Sequence, residues 1–234
     1  MPDQHYVVAT IRPWNIVQYH AVIPTLPGVW HLITDPDELT IKHLASIQPR
    51  YIFFPHWSHK VPAEIIDRYE CVCFHETDVP YGRGGSPLQN LIERGHKDTV
   101  VTALRMVEVF DAGSVYAKRP LSLIGLAEEI YIRTAAIVFE IISKIVASEP
   151  TPVPQTGEPT VFRRRTPEQS VISQGSQELS ALFDHIRMLD AEQYPHAFLE
   201  YGNFRFEFTR PAFRTGRIEA TVSITPVSSK GKSP

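Results

Sequence analysis

Cysteine is nearly missing from this chain: 2 in 234 residues, Cys71 and Cys73. Two cysteines two positions apart in one apolar run cannot close a disulfide framework, so a reducing, cytoplasmic setting is expected. An excess of charge is missing too. Lys and Arg number 23 against 26 Asp and Glu, a net charge of −3, which supplies no global field to attract nucleic acid. The longest apolar stretch, residues 130–147, is interrupted by Arg133, Glu140 and Lys144. It reads as a buried or amphipathic helix, and no membrane span is expected. The start, MPDQHYVVATIRPWN, has no basic segment followed by an apolar core, so no signal peptide is expected. Internal repeats are lacking, and no metal site is expected. No glycine-rich phosphate fingerprint follows the first apolar run, which weakens a dinucleotide-binding reading.

What is present is an alternation of short apolar runs and helical patterns. Residues 6–11 (YVVATI), 29–33, 51–54 (YIFF) and 71–74 (CVCF) are of strand length and apolar on both faces, as buried parallel strands are. Helical stretches follow at 14–23, at 36–48 behind the capping residue Asp35, at 62–69, and at 87–94 with Gly95 beyond. A β-rich run covers 99–107, and a long helix covers 126–147. This order predicts an α/β fold with a mostly parallel sheet. Residues 149–159 (EPTPVPQTGEP) hold four prolines and read as a stiff linker. Beyond it, a helix over 176–190 and strands at 204–208 and 217–224, turning at Thr215-Gly216, predict a small helix and β-hairpin appendage. The expected division is 1–148, a linker at 149–160, an appendage at 161–226 and a disordered tail at 227–234.

The chemistry concentrates in CVCFHETDVPYGRGGSP, residues 71–87. His75 stands where a strand gives way to a glycine-rich loop, the place where open α/β sheets bind ligands. Asp111-Ala112-Gly113 follows, 36 positions after His75 (111 − 75). His75, Thr77, Pro80, Arg83, Gly84, Pro87 and this Asp-x-Gly together resemble the 10-formyltetrahydrofolate-dependent formyltransferases. Cys73 stands where that family has an Asn. The resemblance runs from about residue 51 to 201 and implies a Rossmann-like catalytic domain.

Formyl transfer to an amine needs a proton acceptor, a donor to the tetrahedral oxyanion and help for the leaving nitrogen. By resemblance, His75 handles the proton and Asp111 orients it and supports its charge. Taken alone, His75 would read as a backbone-satisfied loop histidine and Asp111 as a turn former; the full motif favours the catalytic reading. Cys73 takes the position of the oxyanion donor, for which a thiol is a weak substitute; either another group such as Thr77 or a backbone N–H replaces it, or the protein is slow or degenerate. As a residue in a strand's packed face, Cys73 also reads as a small hydrophobe. The resemblance implies that Phe54, His56, Trp57, Ser58, Val61, Glu108, Val109 and Phe110 face the folate. It assigns Thr77, Tyr81, Arg83, Lys60 and Arg164 to the acceptor.

VFRRRTPEQS and IRMLDAEQYP are similar to segments of sugar N-formyltransferases of the pseudaminic acid pathway type. The expected reaction is therefore formylation of a nucleotide-linked amino sugar with 10-formyltetrahydrofolate as co-substrate. The expected partner is a small nucleotide sugar, with no membrane and no nucleic acid, and a homodimer is compatible. The chain also reads as short for a tRNA-directed enzyme with a large C-terminal barrel. The alternatives are formylation of a carrier-bound aminoacyl group or tRNA, or a folate-binding module that has lost catalysis.

Overall fold

A computed structural model describes residues 4–173, 175 and 178–227. The tail at 228–234 and the expected helix start at 176–177 lie outside the described residues. The elements run β1 (His5–Ala9), α1 (Pro13–Val22), β2 (Val29–Ile33), α2 (Ile41–Ile47), β3 (Tyr51–Phe54), α3 (Ala63–Arg68), β4 (Cys71–His75), β5 (Arg83–Gly84) and α4 (Pro87–Glu93). They continue as β6 (Asp98–Arg105), β7 (Val115–Ser122), α5 (Ala127–Ser148), β8 (Val161–Phe162), α6 (Leu179–Arg187), β9 (Ala197–Tyr201), β10 (Phe204–Arg214) and β11 (Arg217–Pro226). Two compact units result. One comprises Met1–Pro87, Asp98–Ser122 and Tyr131–Arg163; the other comprises Leu88–Lys97, Leu123–Ile130 and Arg164–Pro234.

The first unit is α/β. Its six-stranded sheet has the order β2-β1-β3-β4-β6-β7. β1 pairs in parallel with β2 and β3, and β3 with β4, while β6 and β7 run antiparallel. The sheet is thus mostly parallel. Burial explains the sequence pattern: β3 is buried along its whole length, because helices cover both faces of such strands. Val7, Ile33, Leu44, Ile52, Phe54 and Ile65 form one cluster. Along α5, Ala135, Val138, Phe139, Ile142 and Ile145 are buried at the three- and four-residue spacing of one helical face.

One helix differs from expectation. Residues 36–48 split into a 3-10 turn (Pro36–Glu38) and α2. Thr40, in extended conformation, separates them, and its hydroxyl accepts from the His43 N–H. A second cap ends the helical run that the first one started. The proline-rich segment is also less free than a linker. Val153 bridges to Val115, and Val161 and Phe162 pair with Arg83 and Gly84.

The second unit contains the antiparallel sheet β11-β10-β9 and α6, whose Phe183 ring lies 5.4 Å from Phe213. Arg187 is buried, and its guanidinium donates to the carbonyls of Leu123 and Gly125 at 2.7 and 2.9 Å. Of the RRR run, Arg165 donates to Glu93 at 3.0 Å. Among the described residues, no helix is long and apolar enough to cross a membrane.

Candidate active site

The carboxyl ends of β3 and β4 bring the candidate groups together. His75, the last residue of β4, is 6% exposed. Its Nε2 lies 2.8 Å from the Gly82 carbonyl. A carbonyl only accepts, so the proton sits on Nε2. Nδ1 then points its lone pair toward Asp111 Oδ2, 3.7 Å away. That is too long for a hydrogen bond yet well within ion-pair range. The Gly82 carbonyl therefore selects the tautomer, and Asp111 is placed to support positive charge on the ring.

Asp111 is held from three sides. Its Oδ2 accepts from the Gly84 N–H at 2.9 Å. Gln155 donates to the carbonyls of Asp111 and Gly113, both at 2.8 Å. The Gln155 carbonyl oxygen in turn accepts from Arg83 at 2.7 and 3.1 Å. Asp111 itself has a left-handed backbone, φ 55°, a conformation that ordinary residues adopt only under surrounding constraint. Gly113 is required beside it: a Cβ there would lie 1.8 Å from the Arg105 carbonyl oxygen.

The thiols carry no nucleophile at neutral pH. Burial, then the Asp111 charge, pushes the Cys73 thiol far up. Burial, then Glu70, pushes Cys71 up to about 12. Thiolate is the reactive form, and Cys73 packs against the core cluster. Thr77 is fully buried and its hydroxyl donates to the Gly82 carbonyl at 3.2 Å, so that hydroxyl is already engaged. Phe54 and Val61 are core residues, while Ser58, Lys60, Glu108, Val109 and Phe110 are exposed. Tyr81 packs its ring edge-on against Phe162, 5.4 Å between centroids. Arg164 is exposed and belongs to the second unit.

Sequence reasoning missed a buried pair behind His75. Glu76, 5% exposed, is bonded through Oε1 to His56 Nε2. Burial alone would raise the Glu76 carboxyl, but His56 and then His75 outweigh it and hold the group below its ordinary 4.5. A depressed carboxylate stabilises the fold above its unfolded value, and this contribution disappears as pH falls through the folded value. Acid unfolding followed by circular dichroism should therefore show stability falling below about pH 4.5, with a shallower fall in Glu76→Gln. An identical acid slope in the two proteins would rule this out. The signal in the sequence was weak: a Glu after the loop histidine and a histidine twenty positions before it. Gln155 was missed as well.

Comparison with known proteins places the chain. Residues 167–225 match the family described as methionyl-tRNA formyltransferase, C-terminal domain. A structure of a methionyl-tRNA formyltransferase from Clostridium thermocellum is 45% identical, with a TM-score of 0.93, covering 95% of this chain and 99% of that one. The methionyl-tRNA formyltransferase of Thermodesulfovibrio yellowstonii is 30% identical over 132 residues, 53% of this chain and 43% of that protein. HypX from Aquifex aeolicus, solved with tetrahydrofolic acid, shares the fold at 20% identity and a TM-score of 0.71, covering 88% of this chain and 37% of that one. The chain spans about half, or less, of the length of the curated relatives it matches.

These findings correct the expectation of a nucleotide-sugar acceptor and of no nucleic-acid partner. Of the segments that suggested a sugar enzyme, IRMLDAEQYP (186–195) and the PEQS half of RRRTPEQS (167–170) fall within the match to the methionyl-tRNA formyltransferase C-terminal domain, and Arg165 is tied to Glu93. The length argument fails too, because a methionyl-tRNA formyltransferase of nearly the same extent exists. The shared fold, the His75–Asp111 loop geometry and a 45% identical relative aligned over almost its full length show that this chain belongs to the formyltransferase family.

Proposed function

We propose that this chain transfers the formyl group of 10-formyltetrahydrofolate to the amino group of methionyl-tRNA. The observation that carries the reading is the His75–Asp111 pair, 3.7 Å apart at the carboxyl end of β4, in a chain aligned along 99% of a methionyl-tRNA formyltransferase. In this reading the amine nitrogen attacks the formyl carbon and gives its proton to His75 Nδ1. The bond from that carbon to the folate nitrogen breaks, and the proton passes to the departing folate. Asp111 supports the imidazolium while it exists. Folate fits the residues beside the pair. Trp57 Nε1, next to His56 in the chain, is buried with no hydrogen-bond partner among the described residues. Val109 and Phe110, just before Asp111, are 65% and 75% exposed, an apolar surface suited to a pterin. Residues 1–148 would carry the transfer, 149–160 would brace Asp111 through Gln155, and 161–226 would meet the acceptor. A reducing compartment would keep both thiols free.

The acceptor is tested by supplying the labelled folate with methionyl-tRNA or with free methionine. Formylmethionyl-tRNA should form, and free methionine should remain unmodified at the same concentration. Equal use of both acceptors would remove tRNA from the proposal.

A further inference from the structure

The His56–Glu76 pair adjoins the candidate base in the chain but lies outside the chemistry assigned to it, and its protonation can be read from its partners. Asn15 is fully buried. Its amide nitrogen lies 3.2 Å from the Pro55 carbonyl and 3.1 Å from His56 Nδ1. That nitrogen also lies 3.1 Å from Thr10 Oγ1, three acceptors for two hydrogens, so Asn15 alone does not set the His56 tautomer. The indole N–H of Trp14, which can only donate, approaches the same Nδ1 at 3.4 Å. A donor-only N–H on Nδ1 means that Nδ1 carries no proton, so the ring is neutral and its Nε2–H is given to Glu76. The pair is thus a neutral imidazole on an ionised carboxylate, a single negative charge out of water.

The surroundings hold that charge in place. The Trp14 and Tyr131 rings stack 5.2 Å apart, and Tyr131 meets the His56 ring edge-on, also at 5.2 Å. Trp14 and Tyr131 are 7% and 5% exposed. His56 adopts a left-handed backbone, φ 50°, as residues do where their surroundings fix them. Glu76 adjoins His75 in the chain. Of the titratable groups near His75, Asp111 from the β6–β7 loop lies 3.7 Å away, Glu76 is the next residue and interacts with it through charge, His56 is bonded to Glu76, and Cys73 stands two residues back on β4.

We infer that Glu76, held ionised by His56, is a positioning residue that supplies a second fixed negative charge to His75 and stabilises the imidazolium formed when it takes the acceptor's proton. The catalytic part of this inference rests on the proposed function; the electrostatic part does not. The alternative is a strut that merely joins the ends of β3 and β4. Glu76→Gln separates the two, because Gln keeps the shape and an oxygen to accept from His56 but loses the charge.

Two measurements on the full chain test it. In the unaltered protein, 15N NMR of the imidazoles at pH 7 should show His56 with Nδ1 bare and Nε2 protonated. In Glu76→Gln, the imidazolium fraction of His75 at one fixed pH should fall. With folate donor and methionyl-tRNA, kcat should fall on the order of tenfold, as expected for losing one nearby charge, while both KM values stay within about twofold. A doubly protonated His56 in the unaltered protein would overturn the inference, and that reading needs no variant to fold. An unchanged His75 imidazolium fraction in Glu76→Gln would overturn it equally. If no formyl transfer is found with any protein, the proposed function fails while the NMR readings still decide the charge.

Discussion

Replacing His75 by Ala should lower turnover by about 10²–10⁴-fold at neutral pH, the range lost with a positioned acid–base group. The ring is buried, its tautomer is set by the Gly82 carbonyl at 2.8 Å and its free nitrogen faces Asp111. Folate and acceptor binding should persist, since His75 acts on the transferring group and not on the remote parts of either substrate. Asp111→Asn should also be severe, because it removes the charge opposite Nδ1. The double variant should cost little more than the worse single one, as residues acting as a unit are strongly non-additive. The acid limb of the pH–rate profile should vanish with the imidazole. Steady-state kinetics of the four proteins decide the matter; fully additive losses would separate the two residues and make Asp111 a structural turn.

Gly84→Ala should damage stability and turnover together. Gly84 has φ 99°, and a Cβ there would lie 2.5 Å from the Phe162 carbonyl oxygen, a backbone atom with no room to yield. The left-handed backbone and the overlap together should cost roughly 2–5 kcal/mol. The same residue's N–H holds the Asp111 carboxylate, so the folded fraction should also turn over more slowly. Gly95→Ala is the control. Gly95 has φ 79° with nothing within 4 Å of a Cβ, so only the backbone cost of roughly 1–2 kcal/mol remains. Urea unfolding of both variants reads the difference. Equal losses at the two glycines would show that the β5–β8 pairing has slack.

The parts that were legible in the sequence are those whose signal is local. Both-face apolar runs announced β1, β3 and β4, while His75 and Asp111 were picked out only by their resemblance to a family motif. The parts that were not legible depend on contacts across the chain. Glu76 follows His75 as an ordinary loop charge would, and only folding brings His56, from the end of β3, onto its carboxylate. Gln155 sits in a proline-rich stretch that reads as a spacer, yet its amide ties Arg83 to the Asp111 loop. The acceptor was misjudged for an electrostatic reason. A net charge of −3 describes the whole chain and says little about one surface. The arginine run drew attention as a phosphate contact, although Arg165 is joined to Glu93.

In the proposed reaction the amine proton leaves through His75 as formyl moves from folate to methionyl-tRNA. A single-turnover experiment tests it most directly, with enzyme in excess over methionyl-tRNA and 10-formyltetrahydrofolate labelled in the formyl carbon. The unaltered protein should place the label on the methionyl amine. His75→Ala, shown to be folded and to bind the folate, should place little or none there in the same time. Label transfer at equal rates in both proteins, or no transfer by the unaltered protein, would contradict the account.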